Sequence, residues 1–259
     1  REVNLSDIAY ICEQIKKQQI CGPSGRLLKI EIFIHGALCV AISGKCYMSL
    51  AQYNSSANRG ACFQACRRSY EVKDTETGDK LEIDNQYIMS PSDLCTIEIL
   101  DKILNSGVSI LKIEGRGRSP DYVDTVVKIY KKAIDEILSG DWSKQKAKQH
   151  KQELARVFNR GFWEGGYYLG SKINEWAKTY GSKTTEKKET VGKVTHYYPK
   201  AQVAQLNIEA QNLEKGDAIY IIGPTTGVIR TTVEEMIKDG KQISVAKQGE
   251  QITCKMLQT

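Results

Sequence analysis

The sequence predicts an α/β fold, a partial (β/α)8-type barrel followed by a small all-β barrel, and three observations carry that reading. Apolar, β-branched runs alternate with amphipathic stretches as far as Gly140, the pattern of strand–helix–strand units in a parallel sheet. Only three or four such units fit before Gly140, whereas a closed barrel takes about 250 residues for its eight. From Val191 onward, short alternating runs are separated by turns at Lys215-Gly216-Asp217 and Asp239-Gly240, as in a compact all-β unit. The expected organisation is residues 1–140 as the C-terminal half of a β/α barrel with a cysteine cluster, 141–188 as a helical and charged linker region, and 189–259 as a small β-barrel domain. Half a barrel cannot bury its own sheet edge. A missing N-terminal half, preceding Arg1 or supplied by another chain, is therefore an expected partner, and an opening on Arg1 rather than Met points the same way.

Each element has its own signal. In NLSDIAYICEQIKKQ the apolar residues Leu5, Ile8, Ile11, Cys12 and Ile15 follow helical spacing, with Asn4 or Ser6 as N-cap. Gly22-Pro23-Ser24-Gly25 breaks that helix, and LKIEIFI (28–34) reads as a buried strand ending at His35-Gly36. SYEVKD and KLEID read as a hairpin joined through Glu76-Thr77-Gly78-Asp79, and residues 86–89 as a short strand. Helix signals resume at Ser92-Asp93 and stop at Asn105-Ser106-Gly107; a strand over 108–115 follows, then a helix from Pro120 to about residue 138. DWSKQKAKQHKQELARVF is polar, basic and helical in pattern, NRGFWEGGYYLG a Gly-aromatic loop, and KTYGSKTTEKKET a charged linker.

Composition narrows the function classes. A hydrophobic content of 41% supports a real core. No run approaches the ~18 apolar residues of a membrane helix, and REVNLSDIAY is not a signal peptide, so a soluble, cytoplasmic protein is expected. Its eight cysteines are too sparse for a secreted disulfide scaffold. The net charge of +6, from 37 Lys and Arg against 31 Asp and Glu, permits a polyanionic partner such as RNA.

Five cysteines, Cys39, Cys46, Cys62, Cys66 and Cys95, fall just past the first strand, at the edge where α/β folds bind ligands. Soft thiolate sets select zinc or iron–sulfur clusters. Structural zinc favours tight knuckles, and only Cys62 and Cys66 are knuckle-like; six residues separate Cys39 from Cys46. Cys12 and Cys254 read as packing residues. A second constellation, LKIEGRGRSP, places Lys112, Glu114, Arg116 and Arg118 at the end of a strand and the start of a helix, an arrangement suited to a carboxylate or phosphate; a surface salt-bridge loop reads equally well. His35 and Glu114 are the candidate catalytic residues. Hydrolysis has weak support: there is no HExxH or GxSxG motif, and a base four residues from Cys39 would not come from a separate element, as peptidase bases do. The lysines of 144–151 offer a basic face for RNA phosphates or, equally, a solvated one.

The segments ExFxHGALCxxxSGxCxxS, GACxxACR, SPxDLC, the LKIEGR run with its following helix, and NRGFxxGxxxG, in this order, closely resemble the collagenase-like peptidase family, number thirty-two of class U. The resemblance implies a (β/α)8-type barrel holding a 4Fe-4S cluster on Cys39, Cys46, Cys62 and Cys95, with zinc as the alternative. It implies oxygen insertion into a substrate. Members of the family hydroxylate tRNA uridine at C5, with prephenate required, and others act on ribosomal RNA cytidine or ubiquinone. The implied partners are tRNA and prephenate or another small carboxylate, bound through Lys112, Arg116 and Arg118. The alternative is a collagenase-like peptidase acting on proteins, as the family name records.

Overall fold

The computed structural model describes residues 3–41, 45–80, 89–171, 177 and 181–255. The chain divides into two compact units, Arg1–Thr185 and Glu186–Thr259.

In the first unit, α1 (Leu5–Lys17) starts where Asn4 accepts a hydrogen bond from the Asp7 amide at 2.8 Å and buries Ile8, Cys12 and Ile15, the helical stripe read from the sequence. Next come β1 (Glu31–Gly36), α2 (Tyr47–Tyr53), β2 (Asp93–Cys95), α3 (Leu100–Asn105), β3 (Ile110–Ile113), α4 (Pro120–Leu138), α5 (Lys144–Leu154) and β4 (Phe162–Trp163). The four strands form one sheet in the order β3-β1-β2-β4. It is mixed rather than parallel: β1 runs parallel to β3 but antiparallel to β2, and β2 runs parallel to β4. The helix expected from Ser92-Asp93 is a strand over its first residues. Asp93, Leu94 and Cys95 are all buried, and a fully buried run has no periodicity to separate helix from strand. The backbone decides, because Leu94 and Cys95 pair with Gly36 and His35, and Thr96 donates to the Ile34 carbonyl at 3.1 Å. Likewise the Gly-aromatic loop contains β4.

The sheet packs on α4, where Pro120 fills the first turn and Tyr122, Val126, Ile129, Tyr130 and Ala133 form the buried stripe. Helix α5 is capped by Ser143 and buries Ala147, His150 and Leu154. The chain then stays with this unit through the bonds Lys183 N–H to Asn159 O (2.7 Å) and Thr185 N–H to Ala155 O (3.0 Å). Of the expected 69–84 hairpin, the turn is present, with Lys73 bridged to Lys80; most of its second arm, and all but Met89 of the strand expected over 86–89, lie outside the described residues.

The second unit is all-β. Its strands are β5 (Gly192–Tyr198), β6 (Val203–Ile208), β7 (Leu213–Glu214), β8 (Ala218–Gly223), β9 (Gly227–Thr232), β10 (Met236–Lys238), β11 (Lys241–Ile243), β12 (Val245–Ala246) and β13 (Gln251–Lys255). They assemble as a five-stranded sheet, β11-β10-β13-β6-β5, with two further pairs, β12-β7 and β8-β9, around a core that includes Ala204, Leu206, Ile208, Leu213, Met236, Ile252 and Cys254. Among the described residues no strand ladder closes a barrel in either unit, and no helix is long and apolar enough to cross a membrane.

Candidate functional site

The end of β1 approaches the end of β3 so closely that only glycine fits. Gly36 has φ +113°, and a Cβ there would lie 2.5 Å from the Glu114 carbonyl oxygen. The chain then releases the cysteine segment, which Arg67 fastens back to the sheet. Its Nη2 donates to the Leu38 carbonyl at 2.7 Å, and its Nη1 donates to Ser90 Oγ at 2.9 Å and to the Pro91 carbonyl. One side chain thus joins the residue before Cys39, the residue after Cys66 and the entry to β2. Burial, and then the charge of Arg160, hold the Arg67 pKa below its ordinary value.

The thiols differ in surroundings. Cys46 caps α2, its Sγ meeting Ser49 Oγ at 3.4 Å and the Ser49 amide at 3.5 Å; these bonds lower its pKa. Burial raises Cys66, and Cys39, Cys62 and Cys46 lie close enough to push it in the same direction. Four thiols therefore share one region. Cys95 sits in β2 opposite His35, wholly buried, with Sγ 4.0 Å from the Tyr130 hydroxyl, and burial pushes it up to about 12. Among the described residues, no three His, Cys, Asp or Glu side chains are grouped to hold one metal ion.

The other candidates are dispersed. His35 is 1% exposed, within 5.5 to 6.1 Å of the Tyr130, Phe162 and Tyr122 rings, with Nδ1 3.4 Å from the Tyr130 hydroxyl. Burial, then the Arg118 charge, lower it to about 3. It is a neutral core imidazole. Glu114 accepts from the Arg116 amide at 2.8 Å. Lys112 pairs with Glu31 at 2.9 Å over the Phe33 ring, Arg116 is exposed, and Arg118 turns inward to Asp93 at 3.3 Å. The three residues expected to grip one anion thus face different surroundings. Arg118 and Arg160 both reach the Asp93 carboxylate at 3.3 Å and both stack on Phe158, with guanidinium carbons 3.9 and 5.1 Å from the ring centre. Sequence pattern does not single out Arg67, Asp93 and Arg160, although SPSDLC, ACR and NRGF contain them. Their partners lie 23 to 67 residues away, beyond any local spacing rule.

Comparison with known proteins places the chain in a family. The chain is 49% identical over 253 residues to a protein named collagenase from Porphyromonas gingivalis, covering 98% of this chain and 61% of that protein. It is 35% identical to tRNA hydroxylation protein P1 of Bacillus subtilis, covering 87% of this chain and 54% of the relative. It is 42% identical over 109 residues to the 23S rRNA 5-hydroxycytidine synthase of Escherichia coli, covering 42% of this chain and 16% of the relative. The chain spans about three fifths of the length of that collagenase. Residues 1–178 match the family description Peptidase family U32, and the chain, with its cysteine segment fastened to a β-strand end, belongs to that family.

Proposed function

We propose that this chain is the cluster-bearing part of a 4Fe-4S-dependent, RNA-hydroxylating enzyme of the cytoplasm, acting on tRNA uridine at C5 with prephenate or another small carboxylate as co-substrate, on a β/α barrel completed by further chain. The observation that carries the reading is the gathering of Cys39, Cys46, Cys62 and Cys66 at the end of β1, with Cys95 one strand away. An all-thiolate donor set suits an iron–sulfur cluster, whose irons are each held by a cysteine thiolate. Cys39, Cys46, Cys62 and, by resemblance, Cys95 would hold it; Cys66 is the competing fourth ligand. A bound cluster supplies one-electron transfer. The protein's own contribution is positional: Arg67 holds the segment and places positive charge beside the thiolates, and exposed Arg116 offers a planar donor for a carboxylate.

Peptide hydrolysis, the second reading, follows from the collagenase relative. It needs a base beside Cys39, and His35 is fixed in the core with its pKa near 3. Anaerobic reconstitution with iron and sulfide, followed by an absorption spectrum and mass spectrometry of tRNA nucleosides from cells producing the protein, tests the proposal. A broad visible band and 5-hydroxyuridine are expected. A colourless, zinc-loaded protein that degrades gelatin would replace this reading with the second.

A further inference from the structure

We infer that the cysteine segment is itself the surface that reads RNA, stacking unpaired bases on Tyr47, Tyr53 and Phe63 and meeting phosphates with Lys45, Arg59 and Arg68; the inference rests on the RNA reading above. From position 32 through position 70 the chain contains no Asp or Glu, while carrying Lys45, Arg59, Arg67 and Arg68. Lys45, Arg59 and Arg68 are exposed. Large side chains stand in water beside them: Tyr47 is 72% exposed, Phe63 55% and Leu50 52%. Helix α2 presents Tyr47, Leu50 and Tyr53 at three-residue intervals, within roughly 120° of one side. The Tyr53 and Phe63 rings lie 4.8 Å apart, and Arg68 covers Tyr53 at 5.8 Å. Backbone bonds from Ser55 to Ser49 and from Ala61 to Ser56, with Ser55 Oγ donating to the Ala61 carbonyl, tie the helix to the loop bearing Phe63.

Exposed rings interleaved with cations, on a stretch of chain without Asp or Glu, match single-stranded nucleic acid. Every base offers a face for stacking, the backbone supplies the complementary charge, and a duplex hides the faces. A stretch without acids also contributes no charge that repels phosphate. The lysine face of α5 differs, because Lys146 pairs with Asp141, and Lys151 with Glu98 and Glu164.

The test measures binding of the full chain to an RNA stem-loop with uridine in its loop and to a fully paired duplex of the same length. Tyr47→Ala and Phe63→Ala are expected to weaken loop binding about 5- to 100-fold each, with Phe63→Trp restoring it and duplex binding unchanged. Arg68→Gln should flatten the salt dependence by about one unit of slope. Equal losses on loop and duplex, or unchanged RNA binding with lost gelatin binding or lost self-association, would overturn the inference. The loop-specific loss in a chain that yields no hydroxylated nucleoside would uphold this surface and remove the catalytic reading. Hydroxylation with normal RNA binding by the variants would do the reverse.

Discussion

The α4–α5 pair and the cysteine segment are both basic, yet they use their charge in opposite ways. On the helices four lysines are met by acids: Lys128 by Asp124, Lys131 by Asp135, Lys146 by Asp141, Lys151 by Glu98 and Glu164. The segment between Glu31 and Glu71 has no acid of its own, and its arginines either clamp backbone carbonyls, as Arg67 does, or cover aromatic rings, as Arg68 does. A count of lysines therefore does not by itself locate the charge left for a partner. What matters is which charges are neutralised locally and which are left for a partner.

The sharpest way to break this comparison is to remove thiols, since the segment is proposed to exist for them. Cys39→Ser, Cys46→Ser, Cys62→Ser and Cys95→Ser should each lose nearly all iron after reconstitution, while Cys66→Ser keeps most of it, as read by iron and sulfide analysis. Melting temperatures taken alongside separate ligand loss from misfolding at the fully buried Cys95. Full iron in Cys95→Ser with none in Cys66→Ser would move the fourth ligand onto the segment itself.

A smaller effect is expected where the segment's support meets the core. Asp93→Ala leaves Arg118 and Arg160 buried without their carboxylate, a change that costs about 3–5 kcal/mol when a buried pair is broken. Denaturant unfolding measures it directly. A loss below about 1 kcal/mol would mean that solvent or another group takes over from Asp93.

Smaller again is the consequence of reversing charge on α5. The Lys144→Glu, Lys148→Glu double variant should change loop-RNA affinity by less than about threefold at moderate salt, because the helix is not the contact surface and charge acts there only through a screened field. A tenfold loss would restore the helix as an RNA face and erase the contrast.

A separate effect, on stability against pH, lies in the second unit, whose Cys254 is 1% exposed in β13. Burial, then Glu235, raise its pKa to about 11 from 9.0. The unfolded chain therefore releases its proton first as pH rises. This contribution to stability is intact below about pH 9 and is lost between about pH 9 and 11, amounting to roughly 1–2 kcal/mol. Urea titrations of the wild type and Cys254→Val across that window should diverge, the variant showing the weaker pH dependence.

Much of the framework was legible in the sequence. The stripe of α1, the Pro120 start of α4 and the alternation of β5, β6 and β13 each carry a periodicity that local physics imposes. The strand β2 was not, because Asp93-Leu94-Cys95 is buried on every residue and follows a Ser-Pro-Ser that also begins helices. Nor was its antiparallel pairing, which is set by the β1 partner rather than by anything within three residues. At the site, the cysteine spacing was visible, but the role of Arg67 was not: two of its three partners are carbonyls, which carry no side-chain signature, and the third is a serine 23 residues away.

The Arg67 clamp also orders events in time. It cannot close until the Leu38 carbonyl and the Ser90–Pro91 turn are brought together, contacts that span 23 to 29 residues and follow from β1–β2 pairing. Closing a loop of that span costs chain entropy that the sheet pairing offsets. If the proposed cluster is held here, its ligands come together only once the sheet and the clamp have formed, so iron would be expected to load onto the folded chain rather than the nascent one.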